Sequence, residues 1–291
     1  MMWMNIWTDN VSGGQKMNGS KDLKTIIYFK GVYDTLDLFT DHLIEAFESM
    51  GYGTFVYHTA NEEVSKKMLL RLLDESQEFA VVTFNNLGYN LSFEQSEAAE
   101  DEEKKPEEHN IWNYFHIPYI DILMDHPFHY EKPLCNMPET AVILCTDRNH
   151  EKYIRRFFKN IHQTDFLPHA GVELGHKHKP LNDRNIDVLY AGALPIYTVA
   201  KMIPDLHSIP EVDGEHMMQS VLGELVQHPE QTTEQVIEAY VKSVRGDISD
   251  ERLQEIIVKM RFLDSYATSF FREQAVRILV ESGIHVTAYG V

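Results

Sequence analysis

Asp125-His126-Pro127-Phe128-His129 sets a carboxylate beside two imidazoles. The stretch follows Tyr119 to Met124, a short run that reads as a β-strand. A histidine next to a carboxylate can act as a general base, because its ordinary pKa lies near neutrality. The same residues also fit a simpler role, in which Asp125 caps a turn and His126 packs on it. Of the 15 histidines, His126 is the strongest candidate for moving a proton, with Asp125 as its partner.

Other stretches offer weaker chemistry. Lys30-Gly31-Val32-Tyr33-Asp34-Thr35 leaves the first strand-like run. Gly31 lets the backbone approach a ligand, and Asp34 or Thr35 can cap the next helix. The loop is therefore a turn with a cap, or a binding loop made of Gly31, Asp34 and Thr35. It lacks G-x-G-x-x-G, so no dinucleotide is expected. In Asp147-Arg148-Asn149-His150, Asp147 or Asn149 reads first as a helix N-cap. Pro168-His169-Ala170-Gly171 is an ordinary loop, or a peptide that brings His169 to a cleft between domains. His176 and His178 lie two apart, but no Asp-x-Asp or cysteine cluster stands near them, so no metal is expected. Gly192, Tyr289 and Gly290 each end a strand-like run. Backbone N–H groups at such a sheet edge can meet a diphosphate.

The elements that must position these residues alternate. Lys24 to Lys30 is β-branched and aromatic. Leu38, His42, Leu43, Ala46 and Phe47 then keep helical spacing up to Gly51. Strands follow at 54–58, 79–84, 119–124 and 140–146, with helices at 62–73 and 151–158. This order predicts an α/β architecture, a Rossmann-like parallel sheet with helices on both faces, over residues 24–178. Residues 94–108 interrupt it with eight acidic residues and two lysines, and read as a solvated, mobile loop. A second, helix-rich α/β unit spans 184–291. It runs as a strand to Gly192, a helical insert over 198–264 whose apolar positions Val221, Leu222, Leu225 and Val226 read as core, a helix, and a strand from Ile284 to Ala288. The boundary is expected at 176–184. Because the last strand ends at Tyr289-Gly290, the second unit reads as incomplete. Residues 1–23 lack periodicity and read as a disordered tail.

Charge narrows the partners. Lys and Arg total 26 against 45 Asp and Glu, a formal net charge of −19. Nucleic acid and anionic membranes attract basic surfaces, so neither is expected as the main partner. No run approaches the roughly 18 apolar residues of a membrane span, and the N-terminus has no signal-peptide pattern. Cys135 and Cys145 are too few for a disulfide framework. They are expected to be reduced and mostly buried, as in a cytoplasmic protein.

With these pieces placed, the chain resembles bacterial glycosyltransferases of the GT-B type, the spore-maturation-protein-like group. The likeness rests on Thr146-Asp147-Arg148-Asn149-His150 with Tyr153 and Phe157-Phe158, then Phe166-Leu167-Pro168-His169-Ala170-Gly171. It rests next on Arg184-Asn185-Ile186-Asp187-Val188-Leu189-Tyr190-Ala191-Gly192. It ends on Phe262-Leu263-Asp264-Ser265-Tyr266, Phe271-Arg272-Glu273, Gly283-Ile284-His285-Val286 and Tyr289-Gly290. The resemblance runs from residue 24 to 291. It implies an acceptor-binding first domain, with Gly31, Asp34, Thr35 and His169 near the acceptor. It also implies the start of a donor-binding domain, with Gly192, Tyr289 and Gly290 near a nucleotide-sugar. Asp125 and His126 would then take the proton of an acceptor hydroxyl on a glycan, protein or lipid. No cofactor or metal is implied. Members of this group continue past the point matched by Val291, so the resemblance implies a fragment with little turnover. The other function in view is a non-catalytic binding or scaffold module that keeps only the acceptor half.

Overall fold

The computed structural model describes residues 24–74, 78–95, 107–171, 179–192 and 205–290. The tail over 1–23, residues 96–106 of the acidic stretch, His176 and His178, and the start of the helical insert at 198–204 lie outside the described residues. The chain packs as two compact units, one up to Val81 and one from Val82.

The first unit holds β1 (Lys24–Lys30), α1 (Asp34–Ser49), β2 (Gly53–His58), α2 (Glu62–Leu73) and the opening half of β3 (Glu78–Phe84). β1 pairs in parallel with β2, Ile26 opposite Thr54, and with β3, Ile26 opposite Ala80. A strand with parallel neighbours on both sides needs apolar residues on both faces. Ile26, Ile27, Tyr28 and Phe29 are accordingly all buried.

The second unit continues β3 and adds β4 (Ser92–Gln95), β5 (Glu107–Asn110), α3 (Ile111–Tyr114), β6 (Tyr119–Leu123), α4 (Glu131–Cys135), β7 (Ala141–Cys145), α5 (Arg148–Phe157) and β8 (Gln163–Phe166). The strands form a six-stranded parallel sheet in the order β2-β1-β3-β6-β7-β8. β4 and β5 form a separate antiparallel pair, Ser92 opposite Asn110 and Gln95 opposite Glu107. The two ends of the acidic stretch are thus strands and not loop. Glu94, Glu107 and Glu108 lie in that ladder.

β9 (Val188–Ala191) comes next, then α6 (Gly214–Gln227), α7 (Thr233–Arg245), α8 (Asp250–Met260), α9 (Phe262–Glu281) and β10 (Val286–Tyr289). The helices share a core of Met217, Val221, Leu225, Ile237, Leu253 and Ile256, each 3% exposed or less. Val221 and Leu225 are core as expected, whereas Val226 is exposed. Gly214 opens α6 beneath Leu206, where an added Cβ would stand 2.6 Å from that side chain.

These helices pack on α5. Arg156 of α5 bonds Glu238 of α7 and Asp250 of α8, and Arg261 donates to the Phe128 carbonyl at 3.3 Å. β9 and β10 pair in parallel from Val188–Val286 to Ala191–Tyr289. Cys145 is buried, but Cys135 is exposed, against the expectation that both are covered. Among the described residues no helix is long and apolar enough to cross a membrane.

Candidate functional site

Four helices and a turn build a pocket of about 230 Å³ in the second unit. The turn is a short 3-10 segment, Pro127–Tyr130, just after β6. Proline at its first position has no N–H to satisfy. The next donor, Phe128 N–H, is taken by His126 Nδ1 at 3.2 Å. An imidazole nitrogen that accepts is unprotonated, so neutral His126 carries its proton on Nε2. That nitrogen faces Glu234 Oε2 at 3.4 Å. At that distance the two atoms make no aligned hydrogen bond.

Glu234 is delivered by the first turn of α7. Thr232 and Gln235 form a reciprocal capping box there, which fixes where the helix starts. Burial pushes the Glu234 carboxyl up, but His126 pulls it down further, and the group ends below the usual carboxylate range. The next wall is the N-terminus of α5, where Asp147 accepts from Asn149 N–H at 2.6 Å. The capping role read for Asp147 is therefore found.

That cap aims His150 into the pocket, edge-on to His126 with ring centroids 4.6 Å apart. Burial above all lowers His150 to about 4. It is neutral at ordinary pH, and its Nδ1 is buried without a partner. α9 closes the pocket with Asp264, Thr268 and Phe271. Asp264 accepts from Thr233 Oγ1 at 2.8 Å, tying α9 to α7.

The sequence-derived candidates fall in several places. His126 lines the pocket, but Asp125 is not its partner. Asp125 Oδ2 accepts from Asn85 Nδ2 at 3.0 Å and from Tyr130 OH at 2.8 Å. The carboxylate opposite His126 is Glu234. With Nδ1 spent on the turn, His126 has no free lone pair, and the carboxylate atom facing it that can accept a proton is Glu234 Oε2. His169 lies in an exposed loop beyond β8.

In the first unit, Gly31 adopts φ +98°, and a Cβ there would stand 3.1 Å from Thr59 Oγ1. Its N–H donates to Asp37 at 3.0 Å. The loop carboxylate in use is thus that of Asp37. Asp34 and Thr35 are the first residues of α1, and the N-cap position is Tyr33, with no side-chain cap bond. Gly192, Tyr289 and Gly290 do come together. Gly192 N–H donates to the Tyr289 carbonyl at 2.9 Å, continuing the β9–β10 ladder past its end.

Sequence reasoning missed Glu234, His150, Thr233 and Asp264. The capping box marks the start of α7, and so places Glu234 in a helical first turn. No local pattern pairs Glu234 with His126. Among the described residues no group of three or more His, Cys, Asp or Glu is arranged to hold a metal. No family model matches the chain, and no curated protein or solved structure matches it significantly.

Proposed function

We propose that the chain is a glycosyltransferase of the GT-B type, or a part of one. It would take a sugar from a nucleotide-sugar and place it on a hydroxyl of a glycan, protein or lipid-linked acceptor. The observation that carries this reading is the junction of Gly192, Tyr289 and Gly290 at the carboxyl end of the β9–β10 pair. Ligands of open α/β sheets bind at carboxyl ends of parallel strands. Two glycines there leave the backbone bare for a diphosphate. On this reading Glu234 takes the acceptor proton, His126 holds Glu234 in its ionised form, and Asp125 supports the turn through Asn85 and Tyr130. No cofactor or metal has a part in it.

The test is calorimetric titration with UDP and GDP, followed by transfer from the matching nucleotide-sugars. Binding should occur, and Gly192→Val, which strains the backbone at its φ of +155°, should weaken it. Absence of binding by either nucleotide would sink the donor assignment. Binding of a sugar acceptor without any nucleotide binding would favour the alternative, a module that recognises the acceptor only.

A further inference from the structure

We propose that the pocket between α5, α7 and α9 binds one ring of a polyhydroxylated ligand, a sugar or a cyclitol, with Glu234 and His126 holding its hydroxyls. As the acceptor subsite of a transferase it rests on the reading above; as a sugar-binding pocket it stands without it.

Size, charge and unmet hydrogen bonds point the same way. The volume of about 230 Å³ lies below the ~300–1,000 Å³ that drug-sized ligands occupy. A single ring fits that space and a nucleotide does not. Two helix N-termini end here, and such ends attract anions. Yet among the described residues the lining carries Asp147, Glu234 and Asp264 with neither lysine nor arginine. Phosphates and carboxylates are repelled, and a neutral donor-bearing ligand is favoured.

The buried atoms refine the choice. His150 Nδ1 is buried without a hydrogen-bond partner, and Glu234 Oε2 and His126 Nε2 face each other at 3.4 Å without an aligned hydrogen bond. A carboxylate only accepts, while His126 Nε2–H only donates. A ligand that satisfies both must present a donor and an acceptor within a few ångströms. A hydroxyl does both in one atom. An ammonium would meet Nε2–H with a second donor, so an amine suits the site poorly. Leu225, Pro229 and Phe271 supply an apolar wall for the C–H face of a ring.

The test is saturation-transfer NMR on the full chain, with methyl hexopyranosides and myo-inositol as probes and UDP and GDP measured alongside. At least one pyranoside or the inositol should give signal. Thr268→Trp, which fills the pocket from an exposed position on α9, should abolish it and leave UDP unaffected. Glu234→Gln should raise the probe's Kd by roughly tenfold or more, the scale of one lost charge-assisted hydrogen bond. If Thr268→Trp fails to fold by circular dichroism, Gln231→Trp fills the same space from the opposite wall. A probe signal that survives a folded, filled pocket overturns the proposal, as does silence of every probe with the wild-type chain. Probe binding with neither UDP nor GDP bound sinks the transferase reading alone, and nucleotide binding with silent probes sinks the pocket alone.

Discussion

Arg156 on α5 holds Glu238 on α7 through two hydrogen bonds of 2.6 and 3.0 Å, across 82 positions of sequence. The same guanidinium reaches Asp250 on α8 at 2.7 Å. One side chain thereby anchors two helices to the helix whose N-terminus carries His150. A planar fork that meets two carboxylates is a geometry lysine cannot reproduce.

The pair should be worth measuring by a double-mutant cycle of Arg156→Met and Glu238→Gln in urea. Isolated exposed ion pairs contribute about 0–1 kcal/mol, and a bidentate network should exceed the middle of that range. The Arg156 hydrogen bond draws the Glu238 carboxyl down to about 2. A carboxyl depressed in the folded state adds stability above its unfolded pKa and loses it as pH falls towards the folded one. The coupling should therefore fade between pH 4.5 and 2. A coupling that is absent at pH 7 would mean the contact holds nothing in place.

His150 predicts a second pH effect in a different window. Its folded pKa of about 4 lies under the ordinary 6.5 because burial disfavours the charged ring. The unfolded chain then binds the proton more readily, so stability falls as pH drops from 6.5 towards 4. His150→Gln should flatten that part of the stability profile. An NMR titration that placed His150 near 6.5 would contradict the burial described for it.

Parallel strands were legible in the sequence because burial on both faces demands long apolar runs, and Lys24–Lys30 and Ala141–Cys145 have them. β8 was not, since Gln163-Thr164-Asp165-Phe166 is mostly polar and gains its place by pairing with β7. The β4–β5 pair escaped for the same reason: Glu94, Glu107 and Glu108 carry no strand signal. At the site, His126 could be singled out from its neighbours. Its real partner could not, because the contact with Glu234 depends on where α7 lies against the turn after β6. The cap at Asp147 was readable, being a matter of two residues two positions apart.

Asp121 predicts the opposite pH sign. It lies fully buried in β6, with Oδ1 accepting from Asn86 N–H at 2.9 Å and Oδ2 unpartnered. Burial pushes its carboxyl up to about 7, partly offset by that bond. A carboxyl raised in the folded state costs stability as pH climbs from the unfolded value through the folded one. Asp121→Asn keeps an acceptor for Asn86 and removes the charge. It should be more stable than wild type at pH 8, by something on the order of 1–4 kcal/mol, with the difference gone at pH 3.5. Equal melting curves at both pH values would show that Asp121 titrates as an exposed carboxylate does.

The last prediction separates the two nitrogens of His126. Nδ1 closes the turn by accepting from Phe128 N–H, and Nε2 faces Glu234. His126→Asn places an amide oxygen close to where Nδ1 sits, so the turn keeps its acceptor and the side facing Glu234 is lost. His126→Ala loses both. Losing a side-chain acceptor at a turn or helix start costs about 0.5–2 kcal/mol, so the alanine variant should unfold at lower urea than the asparagine variant. If His126 acts through Glu234, the two variants should be impaired alike in sugar binding or transfer, despite their different stabilities. His169→Ala, in an exposed loop beyond β8, should change neither property. Full function in His126→Asn would confine this histidine to capping its turn and leave Glu234 acting alone.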